Sequence, residues 1–220
     1  MTDNFQVFIR KIQTLPIKVG SITPPQQKFL QDFLLEHKEV KNILETGFHV
    51  GLSAAVMMDV RPDIFVCSFD IFWFEYTRKA KLFLDISYPS RNLLLAGNSI
   101  DSIPTYFKLN PSYMPDFVFI DGGHERPIPY LDMYIIFKTI KENTWIMIDD
   151  YCEAHGSQGV NEAVDLFIKS GVIKDVKKYL AADRGWIFGQ RSAVNVPFSD
   201  YAESPQEIMK QLMDTESHYP

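Results

Sequence analysis

The stretch "VKNILETGFHVGLSAAVMMDV", residues 40–60, changes character in its middle. Residues 40–46 read as a short strand, and 51–60 as an apolar helix. Between them lie Glu45, Gly47 and Gly51. A strand that runs through a glycine turn into a helix is half of a βαβ unit. In open parallel sheets such turns are where ligands bind.

Outward from this stretch the alternation continues. "IFVCSFD" (64–70), "RNLLLAG" (91–97), "PDFVFID" (115–121) and "NTWIMIDD" (143–150) read as further strands. Helical patterns separate them. "EYTRKAKLFL" (75–84) puts Tyr76, Ala80 and Phe83 on one face, and "SIDSIPTYF" (99–107) is a short helix interrupted near Pro104. "IPYLDMYIIFKTI" (128–140) follows, and "GVNEAVDLFIKSG" (159–171) aligns Val160, Ala163, Val164, Phe167 and Ile168. Two strand-like runs, 173–181 and 184–190, close the series. Strands of nearly continuous apolar residues, each followed by a helix, predict a parallel sheet covered on both faces. Right-handed crossovers then build a doubly wound α/β domain. Ahead of it, "TPPQQKFLQDFLLEH" (23–37) carries a helix start, with Thr23 as cap, Pro24 in the first position and Gln26 completing a capping box. After Val196, "SPQEIMKQLM" (204–213) reads as a capped amphipathic helix with Ile208 and Leu212 four apart.

A chain of 220 residues is long enough for one well-filled core, or at most two small ones. Its 46% hydrophobic and 23% charged content is that of an ordinary globular protein. The net charge of −6 argues against nucleic-acid and anionic-membrane partners, which favour basic surfaces. No apolar run is long enough for a membrane span, and residues 1–16 lack a signal-peptide pattern. With two cysteines only, Cys67 and Cys152, no disulfide framework is expected, and a reducing cytoplasm is the default.

The residues that follow the strands carry the chemistry. The first strand ends in Glu45, Gly47 and Gly51, the second at Asp70, and the third in Gly97-Asn98-Ser99. The fourth ends in Asp121 with His124 three residues on, and the fifth in Asp149-Asp150. Any one of these reads equally well as a cap or a tight turn. Five at one sheet edge favour a binding site. "TGFHVG" is neither the dinucleotide fingerprint nor a phosphate-binding loop. An acid at Asp70 suits both hydroxyls of a ribose. Glu45 is a poor neighbour for a pyrophosphate and a good one for an amino group. Ribose plus ammonium points to S-adenosylmethionine rather than NAD.

Here "ILETGFHVGLSA" resembles the first motif of class I S-adenosylmethionine-dependent methyltransferases, with the match in order from about Lys41 to Gln190. "AGNSIDSIPTYF…PDFVFIDGGHERP…WIMIDDY" is similar to the catechol O-methyltransferase group and to metal-dependent sugar O-methyltransferases. The resemblance implies a mostly parallel seven-stranded, Rossmann-like sheet whose final antiparallel strand "RGWIFGQ" supplies. It divides the chain into an N-terminal helical extension (1–40), a cofactor-binding catalytic domain (41–192) and a C-terminal helical tail (193–220). It implies that Glu45, Gly47 and Gly51 hold the methionine moiety, Asp70 the ribose, and Asn98 and Ser99 the adenine, with Ser53 and Asp121 also among the cofactor-binding residues. It also implies that Asp121, Asp149 and Asp150 bind Mg²⁺ or another divalent cation, and that His124 is the general base. Physical chemistry agrees, because three converging carboxylates repel one another and a hard cation relieves that. An imidazole near pH 7 takes a proton readily. The rival reading makes Asp121 a helix cap and His124 a surface residue.

The expected activity is therefore O-methylation of a small-molecule hydroxyl with divalent-metal assistance. Alternatives are a metal-independent methyltransferase with another acceptor, a catalytically silent nucleoside-binding or interaction domain, and an NAD-dependent oxidoreductase disfavoured by the missing glycine fingerprint. Phe72, Trp73, Phe74 and Tyr151 stand near strand ends, where they wall an acceptor pocket or simply pack. His49 reads as a turn residue beside the cofactor, and His155 and Cys152 lie near the mouth without an assigned role. The apolar tail helix is compatible with a homodimer.

Overall fold

The structure, a computed structural model, describes residues 1–17, 21–152, 157–180 and 184–196. Two helices lead, α1 (Asp3–Ile12) and α2 (Pro24–Glu36). The alternating unit follows as β1 (Asn42–Thr46), α3 (Leu52–Val60), β2 (Phe65–Asp70), α4 (Tyr76–Ser87), β3 (Asn92–Ala96) and α5 (Ser99–Leu109). It continues with β4 (Phe117–Ile120), α6 (Ile128–Thr139), β5 (Trp145–Ile148), α7 (Gln158–Lys169), β6 (Ile173–Leu180) and β7 (Gly185–Arg191). The predicted tail helix lies outside the described residues.

The strands form one seven-stranded sheet in the order β3-β2-β1-β4-β5-β7-β6. β1 to β5 run parallel, and β7 runs antiparallel between β5 and β6. The alternation of side chains along each strand divides the core in two. Ile43, Phe117, Phe119, Met147, Trp186 and Phe188 face the layer of α1 to α4. Leu44, Val118, Ile120, Ile146, Ile148 and Ile187 face the layer of α5 to α7. Burial on both faces explains why these strands read as unbroken apolar runs. The strand order reverses between β1 and β4, which pair in register Thr46 with Ile120. That reversal opens the crevice into which the strand ends project.

Two features differ from the sequence expectation. α1 lies inside the helical extension expected over residues 1–40 but was not delimited as an element of its own; Thr2 accepts the Phe5 amide at 3.4 Å, and Phe5, Phe8 and Ile12 bury one face against α4. α5 runs unbroken through Pro104, because Ile100, Ile103 and Phe107 anchor its other face to the sheet while Pro104 stays exposed.

Candidate active site

The carboxyl edge of the sheet borders a cavity of about 610 Å³. Gly47, Ser53, Asp70, Asn98, Ser99 and Asp121 line it together with His124 and Asp150. Glu45, Gly51 and Asp149 stand behind its wall.

The turn after β1 is built around Gly47. It has φ +83°, and a Cβ there would fall 1.8 Å from the Asp121 carbonyl oxygen, so the β1 and β4 turns meet only over a glycine. Glu45 is fully buried and accepts hydroxyl hydrogens from Ser53 and, at 2.7 Å, from Ser68. Burial pushes its carboxyl up to about 7, opposed by the two serines and reinforced by Asp70. Ser53, whose hydroxyl Glu45 orients, lines the cavity, whereas Glu45 itself does not. Asp70 anchors the turn from the next strand. Its Oδ2 accepts the Phe48 and His49 amides, each at 2.8 Å, and its Oδ1 accepts the Phe72 amide at 2.6 Å. A carboxylate has about four acceptor positions, so one remains for a ligand hydroxyl.

At the β3 turn, Asn98 caps α5 by accepting the Ile100 amide at 3.0 Å. Ser99 donates its hydroxyl to Asp132 Oδ1 at 2.5 Å. Asp132 comes from α6 and is 1% exposed, and burial pushes its carboxyl up to about 7 against the Ser99 hydrogen bond.

The ends of β4 and β5 bring the remaining acids together. Asp121, His124 and Asp150 each offer one ligand atom in a group whose members lie within 4.8 Å of one another. His124 Nε2 is 2.7 Å from Asp150 Oδ2. That hydrogen bond raises the imidazole above its usual value, against burial, and the Asp150 and Asp149 charges add to the rise. Burial pushes Asp150 up, but His124 and Arg184 hold it below the usual carboxylate range. Asp121 is raised well above that range by burial and then by Asp149, Asp150 and Glu45. Asp149 takes a different part. Its Oδ1 accepts the Gln26 side-chain amide and, at 2.8 Å, the Asp150 amide. Its buried Oδ2 has no hydrogen-bond partner among the described residues, with Arg184 Nη1 4.0 Å away. Burial and Asp150 push the Asp149 carboxyl up to about 6. The raised carboxyls of Asp121 and Asp149 and the orphaned Asp149 Oδ2 are features that a bound cation would relieve.

The aromatic expectations divide. Trp73 and Phe74 line the cavity, whereas Tyr151 turns away, its hydroxyl donating to Asp165 at 2.9 Å and accepting from Lys178 at 2.5 Å. Phe72 supplies a left-handed backbone at φ 61° and does not line the cavity. His49 lines it, also left-handed, with Nε2 2.8 Å from the Tyr76 hydroxyl. Cys152 is buried with its thiol 3.2 Å from the Ser157 hydroxyl, and His155 lies outside the described residues.

Sequence reasoning did not single out Asp132, Arg184 or the second role of Gln26. An acid inside the apolar run "YLDMYIIF" was the available signal for Asp132, since a lone carboxyl is rarely fully buried. Gln26 was hidden by its own cap: Oε1 accepts the Thr23 amide at 2.7 Å, while Nε2 reaches Asp149. Arg184 lines the cavity with its guanidinium 4.0 Å from both Asp149 and Asp150, and nothing in its neighbourhood of sequence marks it.

No protein-family model matches the chain, and no curated protein matches its sequence. Solved structures do match its shape. An O-methyltransferase from Bacillus cereus in complex with S-adenosylhomocysteine is 17% identical with a TM-score of 0.71, over 87% of this chain and 92% of that one. TomG, the O-methyltransferase of tomaymycin synthesis from Streptomyces achromogenes in complex with S-adenosylmethionine, is 15% identical with a TM-score of 0.69, over 88% and 91%. CalS11, a TDP-rhamnose 3'-O-methyltransferase of calicheamicin biosynthesis, is 16% identical with a TM-score of 0.60, over 87% and 94%. The chain thus has the Rossmann-like fold of the class I methyltransferases, and its structural neighbours are O-methyltransferases.

Proposed function

We propose that this chain is an S-adenosylmethionine-dependent O-methyltransferase that acts on a small-molecule hydroxyl with the help of a divalent cation. The observation that carries the reading is the meeting of Ser53, Asp70, Ser99, Asp121, His124 and Asp150 around one cavity at the carboxyl edge of this sheet. An acid-lined cavity suits a sulfonium cofactor, which is itself a cation. Ser53, fixed by Glu45, and the turn at Gly47 receive the amino-acid end, and the open acceptor position of Asp70 receives a ribose hydroxyl. The structural neighbours' complexes with S-adenosylhomocysteine and S-adenosylmethionine support the same assignment.

Asp121 and Asp150, with Asp149 behind them as a further carboxylate, would hold a hard divalent ion, and His124 beside them keeps its imidazole for the proton. Such an ion supplies Lewis acidity that lowers the pKa of an acceptor hydroxyl. The chain's own part is to hold the acceptor oxygen in line with the sulfonium methyl at about 3 Å and to exclude water. His124 takes the hydroxyl proton on its imidazole as the C–S bond breaks and the O–C bond forms, and Asp150 fixes the ring and stabilises the resulting imidazolium. A metal-free version of the same transfer is favoured by one observation: Arg184 already sets a cation 4.0 Å from Asp149 and Asp150. Chelation separates the two. With methyl-labelled S-adenosylmethionine and a panel of hydroxyl acceptors, label transfer is expected to stop with EDTA and return with Mg²⁺. Transfer undiminished after exhaustive chelation removes the metal from the account.

A further inference from the structure

The methyl transfer described above gives no ligand to Arg184. β7 runs antiparallel to β5, so its entry rather than its end stands at the carboxyl edge of the sheet. That brings Arg184 to the cavity wall with its side chain 30% exposed. Among the described residues it is the only arginine or lysine on that wall, where Asp70, Asp121, Glu125 and Asp150 set an acidic field.

The guanidinium is not consumed by its neighbours. Nη1 stands 4.0 Å from Asp149 Oδ2 and Nε 4.0 Å from Asp150 Oδ1, both beyond hydrogen-bond reach. Those carboxylates are held by other groups. Asp150 Oδ2 is 2.7 Å from His124 Nε2, and Asp149 Oδ1 accepts the Gln26 side-chain amide and the Asp150 backbone amide. The one hydrogen bond that Arg184 makes among the described residues runs from Nη1 to the Ser21 carbonyl oxygen, at a long 3.4 Å. A guanidinium carries five N–H donors in a planar fork. Most of that fork is left for a ligand, and its shape matches two oxygens of one carboxylate or phosphate.

Position says which ligand. The strand order β1-β4-β5-β7 sets the Gly47 turn on one side of His124 and Asp150, and Arg184 on the other. The cofactor takes the glycine turn, which leaves Arg184 to the acceptor. His124 and Arg184 approach opposite oxygens of the same Asp150 carboxylate. A hydroxyl at the imidazole and a group on the guanidinium are therefore only a few bonds apart in one molecule.

We propose that Arg184 is an acceptor-specificity residue, and that the acceptor is a small hydroxyl compound bearing an oxyanion group, a carboxylate or a phosphate, close to the hydroxyl. The guanidinium holds the oxyanion while the hydroxyl receives the methyl group beside His124. This rests on the reading of the cavity as a methyltransferase site. The transfer itself is unchanged: the O–C bond forms as the C–S bond breaks, the hydroxyl proton passes to His124, and the oxyanion forms no bond. In an acid-lined cavity an anion is repelled except where the guanidinium meets it, so the same residue fixes which way round the acceptor lies.

The test is calorimetric titration of the full chain, saturated with S-adenosylhomocysteine and Mg²⁺. The probes are lactate, 2-hydroxybenzoate and glycerol 3-phosphate, each against its neutral counterpart lactamide, 2-hydroxybenzamide or glycerol. At least one anion is expected to bind roughly tenfold or more tighter than its counterpart, the worth of one charge-assisted hydrogen bond. Which anion does so separates carboxylate from phosphate. Arg184→Gln is expected to erase the difference with S-adenosylhomocysteine affinity unchanged, and Arg184→Lys, which keeps the charge without the fork, to retain part of it. Should Arg184→Gln fail to fold, Arg184→Ala takes its place. No preference for any anion in the wild type overturns the proposal and leaves the cofactor assignment standing. So does a preference that survives Arg184→Gln, which would belong to the metal ion and make Arg184 a counter-ion of Asp149 and Asp150 alone. Wild-type protein that takes up no S-adenosylhomocysteine overturns the cofactor assignment, and this inference with it.

Discussion

His124 shows what a strand end decides. β4 is buried on both faces and holds Asp121 rigidly, and the glycines after it let the chain return so that an imidazole and a carboxylate from β5 meet at 2.7 Å. Replacing His124 by Ala should lower the chemical step by roughly 10²- to 10⁴-fold and leave S-adenosylhomocysteine affinity unchanged in titration. Wild-type turnover in that variant would return His124 to the surface. Single residues were legible in the sequence where chemistry and strand ends coincide, as at Asp70, Asp121 and Asp150. They were illegible where a contact joins distant parts of the chain, as Gln26 and Asp149 do. The Gln26 amide fixes one oxygen of Asp149 and leaves the other unpartnered. Gln26→Leu should therefore weaken Mn²⁺ binding, read calorimetrically, by roughly 10- to 100-fold, the usual cost of losing a group that orients a metal carboxylate. Thr23→Ala, which removes a hydroxyl donating to Gln26 Oε1 at 2.8 Å and keeps the amide that reaches Asp149, should cost about 1 kcal/mol of stability and weaken Mn²⁺ binding far less than Gln26→Leu. Equal losses in both variants would reduce Gln26 to a capping residue.

The buried carboxyls also set a pH dependence. Glu45 and Asp132 are both raised to about 7 in the folded chain, so the native state keeps protons that the unfolded chain releases. Stability of the ligand-free protein contributed by these groups is present at acid pH. It is lost as pH rises from the ordinary carboxylate range through about 7. A thermal melt series should show the melting temperature falling between about pH 5 and pH 7.5, and less steeply in Asp132→Asn. A flat profile in the wild type would mean that neither carboxyl is buried as described.

Among the elements, the strands were the most readable, because burial on both faces leaves an unmistakable apolar run. Helices were readable where one face is apolar at regular spacing, as with Val160, Ala163, Val164 and Phe167 of α7. α1 escaped because "DNFQVFIRKI" mixes its buried Phe5, Phe8 and Ile12 with charged neighbours, and only α4 gives them a partner. α5 was read as interrupted because proline is costly inside a helix. Here tertiary packing of Ile100, Ile103 and Phe107 overrides that cost. The cost persists as a local weakness, so Pro104→Ala should stabilise the protein by about 1–3 kcal/mol in urea titration. No gain would show that the turn at Pro104 carries strain elsewhere or that the proline stiffens the unfolded chain to the same degree.

For the molecule as a whole, alternating strands and helices dictated a covered parallel sheet, and the reversal of strand order between β1 and β4 opens the crevice at its carboxyl edge. What the linear pattern could not convey is depth. Glu45 and Asp149 do not line the large cavity; Glu45 accepts from Ser53, and Asp149 accepts the Asp150 amide after β5. Gln26 near the start of α2 meets Asp149 after β5, and Arg184 at the entry to β7 brings a guanidinium to the cavity wall. None of these placements follows from local periodicity; each is set by the packing of layers.

The most direct test is diffraction from crystals grown with S-adenosylhomocysteine and Mn²⁺, with anomalous data collected at the manganese edge. The account predicts nucleoside density beside Asp70 and Ser99 and a manganese peak bounded by Asp121 and Asp150, both in the same crevice. Ligand or metal density on separate faces of the molecule, with that crevice empty, would contradict it.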